Sequence, residues 1–285
     1  MRITIVGCGY VGTALATHWS RESRYRLTLT TTSAERIAAL QPLCARVLVL
    51  QASDRLALQQ ALGDAEVAVF CLAPSGTQAV DAQTYDAVYR ASCEALVELL
   101  PALPQLRQII YTGSCAVYGD AAGRWVDESS VASPRDEHGQ VLLASERLLE
   151  ACRNPERQVC VLRLGAIYGP GRELGPRLSR LAGTTRPGDG RQHGNWIHLD
   201  DVVGAIDMAV RAQWDGVINL VDDQPLPLAE LLAEFCRLRN LPAVQWDPSA
   251  ASGPPMADRR VANRLLHRLG YQLRHPRLEI DASRG

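Results

Sequence analysis

Lysine is absent from this chain, and all 30 of its basic residues are arginine. No mechanism that depends on a lysine ammonium group can therefore operate here. The 31 acidic residues balance the arginines to a net charge of −1. With no strongly basic balance, the composition predicts neither a nucleic-acid partner nor a membrane-surface partner.

Metal-binding cysteine pairs and long apolar runs are absent as well. The eight cysteines form no CxxC pair and no Cys/His cluster with the spacing of a zinc site, so we predict free thiols and no metal. No apolar run reaches the ~18 residues of a membrane span. The sequence enters a strand pattern at residue 2, which indicates no signal peptide. These absences predict a cytoplasmic protein.

Strand and helix patterns alternate along the chain. Apolar runs predict strands at residues 2–6, 27–30, 46–50, 67–72, 107–111, 159–164 and 217–221. Apolar periodicity predicts helices at residues 11–20, 34–40, 56–62, 85–100, 140–152, 201–212, 228–239 and 260–269. The alternation predicts an α/β fold of the Rossmann type, with a doubly wound parallel sheet covered by helices on both faces.

The composition changes after Tyr168, where a segment rich in Gly, Pro and Arg begins. We therefore predict a dinucleotide-binding domain at residues 1–168, to which residues 199–222 return. Residues 169–198 and 223–285 would form a small C-terminal α/β lobe that binds the substrate.

A glycine-rich loop follows the first predicted strand and opens the first predicted helix. Gly7, Gly9 and Gly12 match the pattern G-x-G-x-x-G, with Tyr10 and Val11 at its x-x positions. In this context the glycines permit a tight turn, a close approach of the backbone to a pyrophosphate, and close packing of helix on strand. The helix N-terminus offers free N–H groups to the phosphates. The loop therefore predicts a site for NADP or NAD; FAD is a less favoured third reading.

The end of the second strand distinguishes between the two cofactors. NAD sites usually have an acidic residue there, which binds the ribose hydroxyls. This chain instead has hydroxyl side chains and a nearby arginine, which suit a 2′-phosphate: Thr31, Thr32, Ser33 and Arg36. We therefore predict NADP in preference to NAD, although the hydroxyls would also suit a helix cap. Further predicted cofactor contacts follow the fourth and fifth strands: Leu72, Ala73, Pro74 and Thr112.

Three further segments resemble motifs of the extended short-chain dehydrogenase/reductase superfamily, which includes NAD(P)-dependent sugar-nucleotide epimerases and dehydratases. They are IIYTGSCAVYG at residues 109–119, RLGAIYGPG at 163–171 and NWIHLDDV at 195–202. The resemblance extends from residue 1 to about residue 222. It implies a Rossmann-type enzyme with a nicotinamide cofactor and a small C-terminal substrate lobe.

Catalysis in this superfamily uses a Ser or Thr together with a Tyr-x-x-x-Lys pair on a helix. The resemblance assigns the serine to Ser114. It assigns the Tyr and Lys positions to Gly139 and Leu143, so both of those catalytic residues are missing. Cys115 and Ala116 stand where dehydratases carry an acid pair, which argues against sugar-nucleotide dehydration. The chain thus resembles a divergent branch of the superfamily.

Two side chains are candidates for the missing proton donor. Tyr118 lies after the fifth strand, and His138 precedes the vacated tyrosine position. The alternatives are a packed tyrosine whose hydroxyl is satisfied and a solvated surface histidine. Candidate substrate contacts in the lobe are Arg172, Asn195 and His198. Because arginine replaces every lysine in this chain, the arginines after residue 169 could equally be solvated, and His198 could have a structural role.

These observations lead to two hypotheses about function. The first is an NAD(P)-dependent oxidoreductase or epimerase-like enzyme that acts on a small substrate, such as one bearing a sugar or a phosphate. The second is a non-catalytic NAD(P)-binding sensor or scaffold protein, which the missing Tyr and Lys would explain. The resemblance also implies a homodimer formed through the helices at residues 85–100 and 140–152.

Overall fold

The computed structural model describes residues 1–74, 80–250 and 257–280. Its strands are β1 (Arg2–Val6), β2 (Arg26–Thr31), β3 (Arg46–Val49), β4 (Val67–Phe70), β5 (Gln108–Ser114), β6 (Trp125–Val126), β7 (Gln158–Leu164), β8 (Ala166–Tyr168), β9 (Thr185–Pro187), β10 (His193–Gly194), β11 (Trp196–His198), β12 (Gly216–Leu220), β13 (Leu226–Pro227), β14 (Gln245–Asp247) and β15 (Arg260–Val261). Its helices are α1 (Tyr10–Trp19), α2 (Ile37–Leu40), α3 (Arg55–Leu62), α4 (Ala82–Val88), α5 (Arg90–Leu99), α6 (Glu137–Glu150), α7 (Leu174–Ser179), α8 (Leu199–Arg211), α9 (Leu228–Leu238) and α10 (Arg264–Arg268).

A seven-stranded parallel sheet has the order β12-β7-β5-β4-β1-β2-β3. The chain runs outward from β1 through β2 to β3, then returns to the other side of β1 with β4 and β5. The strand order therefore reverses between β1 and β4. In doubly wound sheets the ligand crevice lies outside the carboxyl ends of the strands at this point. The predicted Rossmann-type fold is confirmed.

The chain divides into two compact units. The first comprises Met1–Val117, Pro134–Arg163 and Val203–Ile218. Its core contains the near-continuous apolar runs of the inner strands, which suit a sheet covered on both faces: Ile3, Ile5, Leu29, Val69, Phe70, Ile109 and Ile110 are all within 1% of complete burial. The Nε1 of Trp19 on α1 donates to Asp207 on α8 at 2.8 Å, so this buried indole is also satisfied.

The second unit comprises Tyr118–Ser133, Leu164–Val202 and Asn219–Gly285. Its core packs the apolar faces of α7 and α9 together, with Leu174, Leu178, Leu231, Leu232, Phe235, Cys236, Tyr168 and Leu278 buried. Four two-stranded pairs occur in the described residues: β8 with β11, β9 with β14, β10 with β13, and β6 with β15.

Two predicted helices were wrong in detail. The predicted helix at residues 85–100 is two helices, α4 and α5, which meet at Tyr89, where φ is −96° and ψ is −65°. The predicted helix at 260–269 is helical only over α10, because β15 precedes it. The side chain of Asn195 holds that extended segment: its Oδ1 accepts from Val261 N at 2.8 Å, and its Nδ2 donates to Arg259 O at 3.0 Å.

Candidate functional site

The glycine loop joins β1 to α1 at the reversal of the strand order. Gly7 has a φ of +92°, and a Cβ atom there would lie 2.8 Å from the carbonyl oxygen of Cys71. A Cβ atom at Gly12 would lie 2.5 Å from the carbonyl oxygen of Gly7. Both positions therefore exclude any side chain. A Cβ atom at Gly9 would meet nothing within 4 Å, so the loop opens outward at this residue.

The N-terminus of α1 is prepared for an anion. Its N-cap is Gly9, which supplies no side-chain hydrogen bond, and its first turn has no acidic residue. The first N–H groups of a helix lack partners within the helix and carry partial positive charge. Tyr10 and Val11 begin this helix; Tyr10 is half-buried and Val11 is buried. The arrangement favours a negatively charged ligand at the loop.

The end of β2 lies against the same loop. The N–H of Cys8 donates to Thr30 O at 2.8 Å, and the N–H of Gly7 donates to Thr30 Oγ1 at 2.9 Å. The last strand residue, Thr31, is buried, Thr32 is exposed and Ser33 is half-buried. No carboxylate is among these residues, so the end of the strand offers only hydroxyl groups.

The Arg36 guanidinium reaches back to the glycine loop from the residue just before α2. Its Nη1 donates to the carbonyl oxygen of Cys8, and its Nη2 donates to Thr13 Oγ1 at 3.0 Å. The side chain is half-buried. A permanent positive charge is therefore fixed where the loop meets the end of β2. Burial raises the pKa of the Cys8 thiol to about 12, so this cysteine contributes no competing negative charge.

The residues after β4 lie on the other side of the point where the strand order reverses, between β1 and β4. Burial also raises the pKa of the Cys71 thiol, which lies directly after β4. Leu72 and Pro74 are half-buried and Ala73 is exposed. Thr112 on β5 is buried, and its hydroxyl donates to Phe70 O at 3.0 Å. That bond ties the ends of β4 and β5 together beside the loop.

Ser114 is the last residue of β5 and is half-buried. Its Oγ accepts the N–H of Ala116 at 3.1 Å, a bond that leaves its own proton to be donated. One residue earlier, Gly113 lies against a buried carboxylate, since a Cβ atom there would be 2.7 Å from Glu146 Oε1. Strand β5 therefore presents a hydroxyl at its end and lies directly against α6.

Glu146 on α6 forms a buried ion pair with Arg163 on β7. Its Oε2 accepts from Nε and Nη2 of Arg163 at 3.0 and 2.8 Å, while its Oε1 has no hydrogen-bond partner among the described residues. Burial raises the pKa of the Glu146 carboxyl to about 7, against the lowering effect of Arg163. This pair anchors α6 against β7.

The α6 positions expected to carry Tyr and Lys are closed by packing. A Cβ atom at Gly139 would lie 2.5 Å from Pro134 Cβ. Leu143 is buried with 9% of its surface exposed. The N-cap Asp136 accepts the N–H of Gly139 at 2.8 Å, which places the chain before α6 directly on that glycine. A tyrosine at residue 139 therefore cannot fit unless this segment moves.

The two predicted proton donors already have hydrogen-bond partners. His138 Nε2 lies 2.8 Å from Val80 O, and its ring meets the Tyr85 ring edge-on, with centroids 4.5 Å apart. Because a carbonyl only accepts, this nitrogen carries the proton. In the second unit, the hydroxyl of Tyr118 is buried and donates to Asn219 Oδ1 at 2.8 Å. His138 is half-buried and Tyr118 is buried.

The predicted substrate contacts in the second unit have different environments. Arg172 is exposed, and its backbone N–H donates to Gly169 O at 2.8 Å. The Asn195 amide is bonded to the backbone of β15, as described above. His198 is buried at the end of β11, with its ring edge-on to Tyr168 and close to the ring of His275. Of these three, Arg172 has the most exposed side chain.

Sequence reasoning missed the buried carboxyl group of Asp222. This residue follows β12, is 1% exposed, and its Oδ2 has no hydrogen-bond partner among the described residues. Burial raises the pKa of its carboxyl to about 8. The signal available in the sequence was an acid pair, Asp222 and Asp223, placed directly after an apolar strand. Only the structure distinguishes the buried member of the pair from the exposed one.

Comparison with known proteins agrees with this geometry. The sequence model of the NAD dependent epimerase/dehydratase family matches residues 3–220. This chain belongs to that family. It is 30% identical to Protein YeeZ of Escherichia coli strain K12 over 282 residues, which cover 96% of each chain. The resemblance to the superfamily is therefore confirmed.

Two further relatives are informative. A 3-diazoavenalumate denitrifying reductase from a Streptomyces species is 37% identical over 95 residues, which cover 32% of this chain and 31% of the reductase. The structure of MoeE5 in complex with UDP-glucuronic acid and NAD matches with a TM-score of 0.78 and 22% identity, covering 96% of this chain and 94% of MoeE5. The second likeness concerns the fold alone. No helix of the described residues is long and apolar enough to cross a membrane.

Proposed function

We propose that this chain is an NADPH-preferring oxidoreductase or epimerase-like enzyme whose small substrate bears a sugar or a phosphate group. The contact that supports this most directly joins the Arg36 guanidinium to the carbonyl oxygen of Cys8. It fixes a positive charge beside the glycine loop, at the end of a strand where NAD-specific sites usually have a carboxylate.

The glycine loop fits a dinucleotide. Gly7 and Gly12 pack too closely for any other residue, whereas the space outside Gly9 is open to a pyrophosphate. When bound, a nicotinamide dinucleotide supplies or accepts a hydride. The residues that would hold it are Gly7, Gly9, Tyr10, Val11 and Gly12 at the phosphates, Thr31, Thr32, Ser33 and Arg36 at the 2′-phosphate, and Leu72, Ala73, Pro74 and Thr112 beyond them.

Ser114 is the residue we assign to the substrate. Its hydroxyl lies at the carboxyl end of β5, and its oxygen accepts the N–H of Ala116. The hydroxyl proton can then be donated to a substrate oxygen, which stabilises negative charge that develops there during hydride transfer. This role needs neither the missing tyrosine nor the missing lysine.

Two relatives support the classes of reaction and substrate. The Streptomyces relative is named a reductase, and MoeE5 holds a sugar nucleotide together with NAD. Arg172 remains a predicted contact for an anionic substrate within the second unit. A homodimer formed through residues 85–100 (α4 and α5) and 140–152 (α6) also remains a prediction, which light scattering on the purified protein tests.

A non-catalytic sensor of the cofactor is the second candidate function. The observation that favours it is the closure of α6, where Gly139 packs on Pro134 and Leu143 is buried. His138 and Tyr118, which could have replaced the missing tyrosine, already have partners. A sensor would bind NADPH as an enzyme does but would turn over no substrate.

Calorimetric titration with NADPH and NADH tests the cofactor assignment. We expect NADPH to bind at least about 10-fold more tightly than NADH, and Arg36→Ala to remove most of that ratio. Charge-assisted hydrogen bonds of about 1.5–3 kcal/mol correspond to roughly 10–100-fold in affinity. Arg21→Ala, a change at an exposed arginine just after α1, should preserve the ratio. An unchanged ratio in Arg36→Ala, or binding of FAD instead, would contradict the assignment.

Turnover distinguishes the enzyme from the sensor. NADPH oxidation would be followed with a panel of aldehydes, ketones and sugar nucleotides. For a substrate that is reduced, Ser114→Ala should lower kcat about 100-fold and leave NADPH affinity unchanged, as expected when one donor to a developing oxyanion is lost. Tight NADPH binding with no turnover across the panel would favour the sensor.

A further inference from the structure

Three potential metal ligands converge in the second unit. His198 ends β11, Asp200 lies in the first turn of α8, and His275 lies after α10. Asp200 Oδ2 lies 3.8 Å from His198 Nδ1 and 3.6 Å from His275 Nε2. One potential ligand atom from each of the three residues lies within 4.8 Å of the other two. Because His275 is distant in sequence from the other two, no local spacing indicated this cluster.

The hydrogen-bond partners fix which ring nitrogens carry protons. The N–H of Asp200 donates to His198 Nδ1 at 3.1 Å, so that nitrogen is unprotonated. His275 Nδ1 lies 2.6 Å from Glu279 Oε1; because a carboxylate accepts, Nδ1 carries the proton, and in the neutral ring Nε2 does not.

With the His275 ring neutral, three acceptor atoms lie close together: His198 Nδ1, His275 Nε2 and Asp200 Oδ2. A cation placed between them would accept all three lone pairs, provided that it replaces the Asp200 N–H as the partner of His198 Nδ1. The imidazole rings of His198 and His275 lie close together, with centroids 3.7 Å apart and planes 31° apart.

A buried carboxylate holds the His275 segment in place. Asp201 is completely buried, and its two oxygens accept from the backbone N–H of Arg274 at 2.7 Å and of His275 at 2.9 Å. The Tyr271 hydroxyl donates to Asp201 Oδ1 at 3.1 Å. Glu279 then orients the ring through Nδ1, as carboxylates commonly orient metal-binding histidines. The cluster is thus supported by a second layer of hydrogen bonds.

We propose that His198, Asp200 and His275 form a site for a divalent transition-metal ion such as Zn²⁺. Tetrahedral zinc with bonds of ~2.0–2.1 Å needs ligand atoms about 3.3 Å apart. The two separations that involve Asp200 Oδ2, 3.8 and 3.6 Å, exceed this by a few tenths of an ångström, and the rings of His198 and His275, with centroids 3.7 Å apart, must rotate apart for both nitrogens to point at one ion. The ion would take the His198 lone pair from the Asp200 N–H. The Asp200 side chain is 53% exposed, so water or a substrate oxygen can reach the fourth position.

Titration of the metal-free protein tests the proposal. Protein treated with EDTA and kept reduced would be titrated with Co²⁺, followed by displacement with Zn²⁺ in equilibrium dialysis. We expect one equivalent to bind, with visible absorption typical of tetrahedral Co²⁺ and without the near-ultraviolet thiolate band that cysteine ligation would produce. His275→Ala and Asp200→Asn should each weaken binding at least about 10-fold.

His267→Ala is the matched control. His267 also pairs with a carboxylate in this unit, with Nε2 2.7 Å from Asp223 Oδ1, but it does not belong to the cluster. This variant should bind metal as the unsubstituted protein does. Absence of binding would overturn the proposal and would assign the cluster to a protonated His275 shared by Asp200 and Glu279. Equal binding by His275→Ala, or a thiolate band, would overturn it too.

Discussion

Asp201 Oδ2 accepts the backbone N–H of His275 at 2.9 Å, so a buried carboxylate at the start of α8 determines where a distant segment lies. Its neighbour Asp200 has a side chain that is 53% exposed. These adjacent acids therefore have different roles: Asp201 stabilises the local structure, and Asp200 faces the proposed metal position.

Substitution of each acid by asparagine separates the two roles. Asp201→Asn leaves one oxygen to serve two backbone donors, and we expect the free energy of unfolding to fall by about 2–4 kcal/mol. Asp200→Asn should change it by less than about 0.5 kcal/mol, because exposed substitutions rarely cost more. Urea unfolding measures both. Equal stabilities would show that Asp201 does not organise the segment.

Gly12→Ala and Gly9→Ala distinguish packing from ligand approach at the glycine loop. A methyl group at residue 12 would overlap Gly7 O, so Gly12→Ala should lower the free energy of unfolding by about 1–3 kcal/mol. A methyl group at residue 9 meets nothing, so Gly9→Ala should cost less than about 1 kcal/mol. Gly9→Ala should nevertheless weaken NADPH binding at least about 10-fold, because its methyl group projects into the space proposed for the pyrophosphate. Undiminished NADPH binding would argue against that location.

Asp222 should make stability depend on pH. Burial raises the pKa of its carboxyl from 3.8 to about 8, so the folded state holds a proton that the unfolded state has lost. The stability that the Asp222 carboxyl contributes is fully present below pH 3.8. It is lost as the pH rises from there through about 8, by up to about 1.4 kcal/mol per pH unit. Between pH 5 and pH 8 we expect this effect to lower the free energy of unfolding of the unsubstituted protein by roughly 2–4 kcal/mol, and Asp222→Asn to abolish that decrease.

Urea unfolding at a series of pH values measures the Asp222 effect as a difference between variant and unsubstituted protein. Glu156→Gln, a change at an exposed carboxylate, is the control and should leave the pH profile unchanged. Parallel profiles for Asp222→Asn and the unsubstituted protein would mean that the Asp222 carboxyl ionises normally in the folded chain.

Gly139→Ala tests whether α6 is closed to the usual tyrosine. Its Cβ atom would lie 2.5 Å from Pro134 Cβ, and we expect a loss of about 1–3 kcal/mol in the free energy of unfolding. Gln140→Ala, at an exposed position of the same helical turn, should have almost no effect. Thermal unfolding of the two variants makes the comparison. If Gly139→Ala is tolerated equally well, the segment before α6 yields easily and does not exclude a larger side chain.

Much of the fold was predictable because the apolar patterns of the sequence agree with the strands of the sheet and the helices between them. The strand predicted at residues 2–6 is β1 as observed, and the alternation of strands and helices fixed a parallel sheet. The prediction was wrong for residues 260–269, where helical periodicity continues into a segment that is partly extended. Asn195, far away in sequence, supplies the hydrogen bonds that hold Val261 in a strand. Such a contact leaves no periodic signal.

The candidate dinucleotide site was predictable because its glycines are close together in the sequence. Gly7, Gly9 and Gly12 lie within six residues, so their relation to a strand and a helix can be inferred from sequence alone. Arg36 could be proposed from its position, but the hydrogen bond from its guanidinium to Cys8 O depends on how the chain turns after β2. That Asp222 is buried while the adjacent Asp223 is exposed depends on the packing of the folded chain.

By itself the sequence determined the chemistry that is available: no lysine, a glycine loop after the first strand, a serine after the fifth, and glycine and leucine in place of a catalytic pair. These are properties of residue type and local spacing. The tertiary structure alone decided that Pro134 closes the position at Gly139, and that His275 joins His198 and Asp200. The second depends on a contact between segments that are far apart in the chain, and the first on how the residues just before α6 fold back onto that helix; side-chain packing and burial, which no local pattern encodes, decide both.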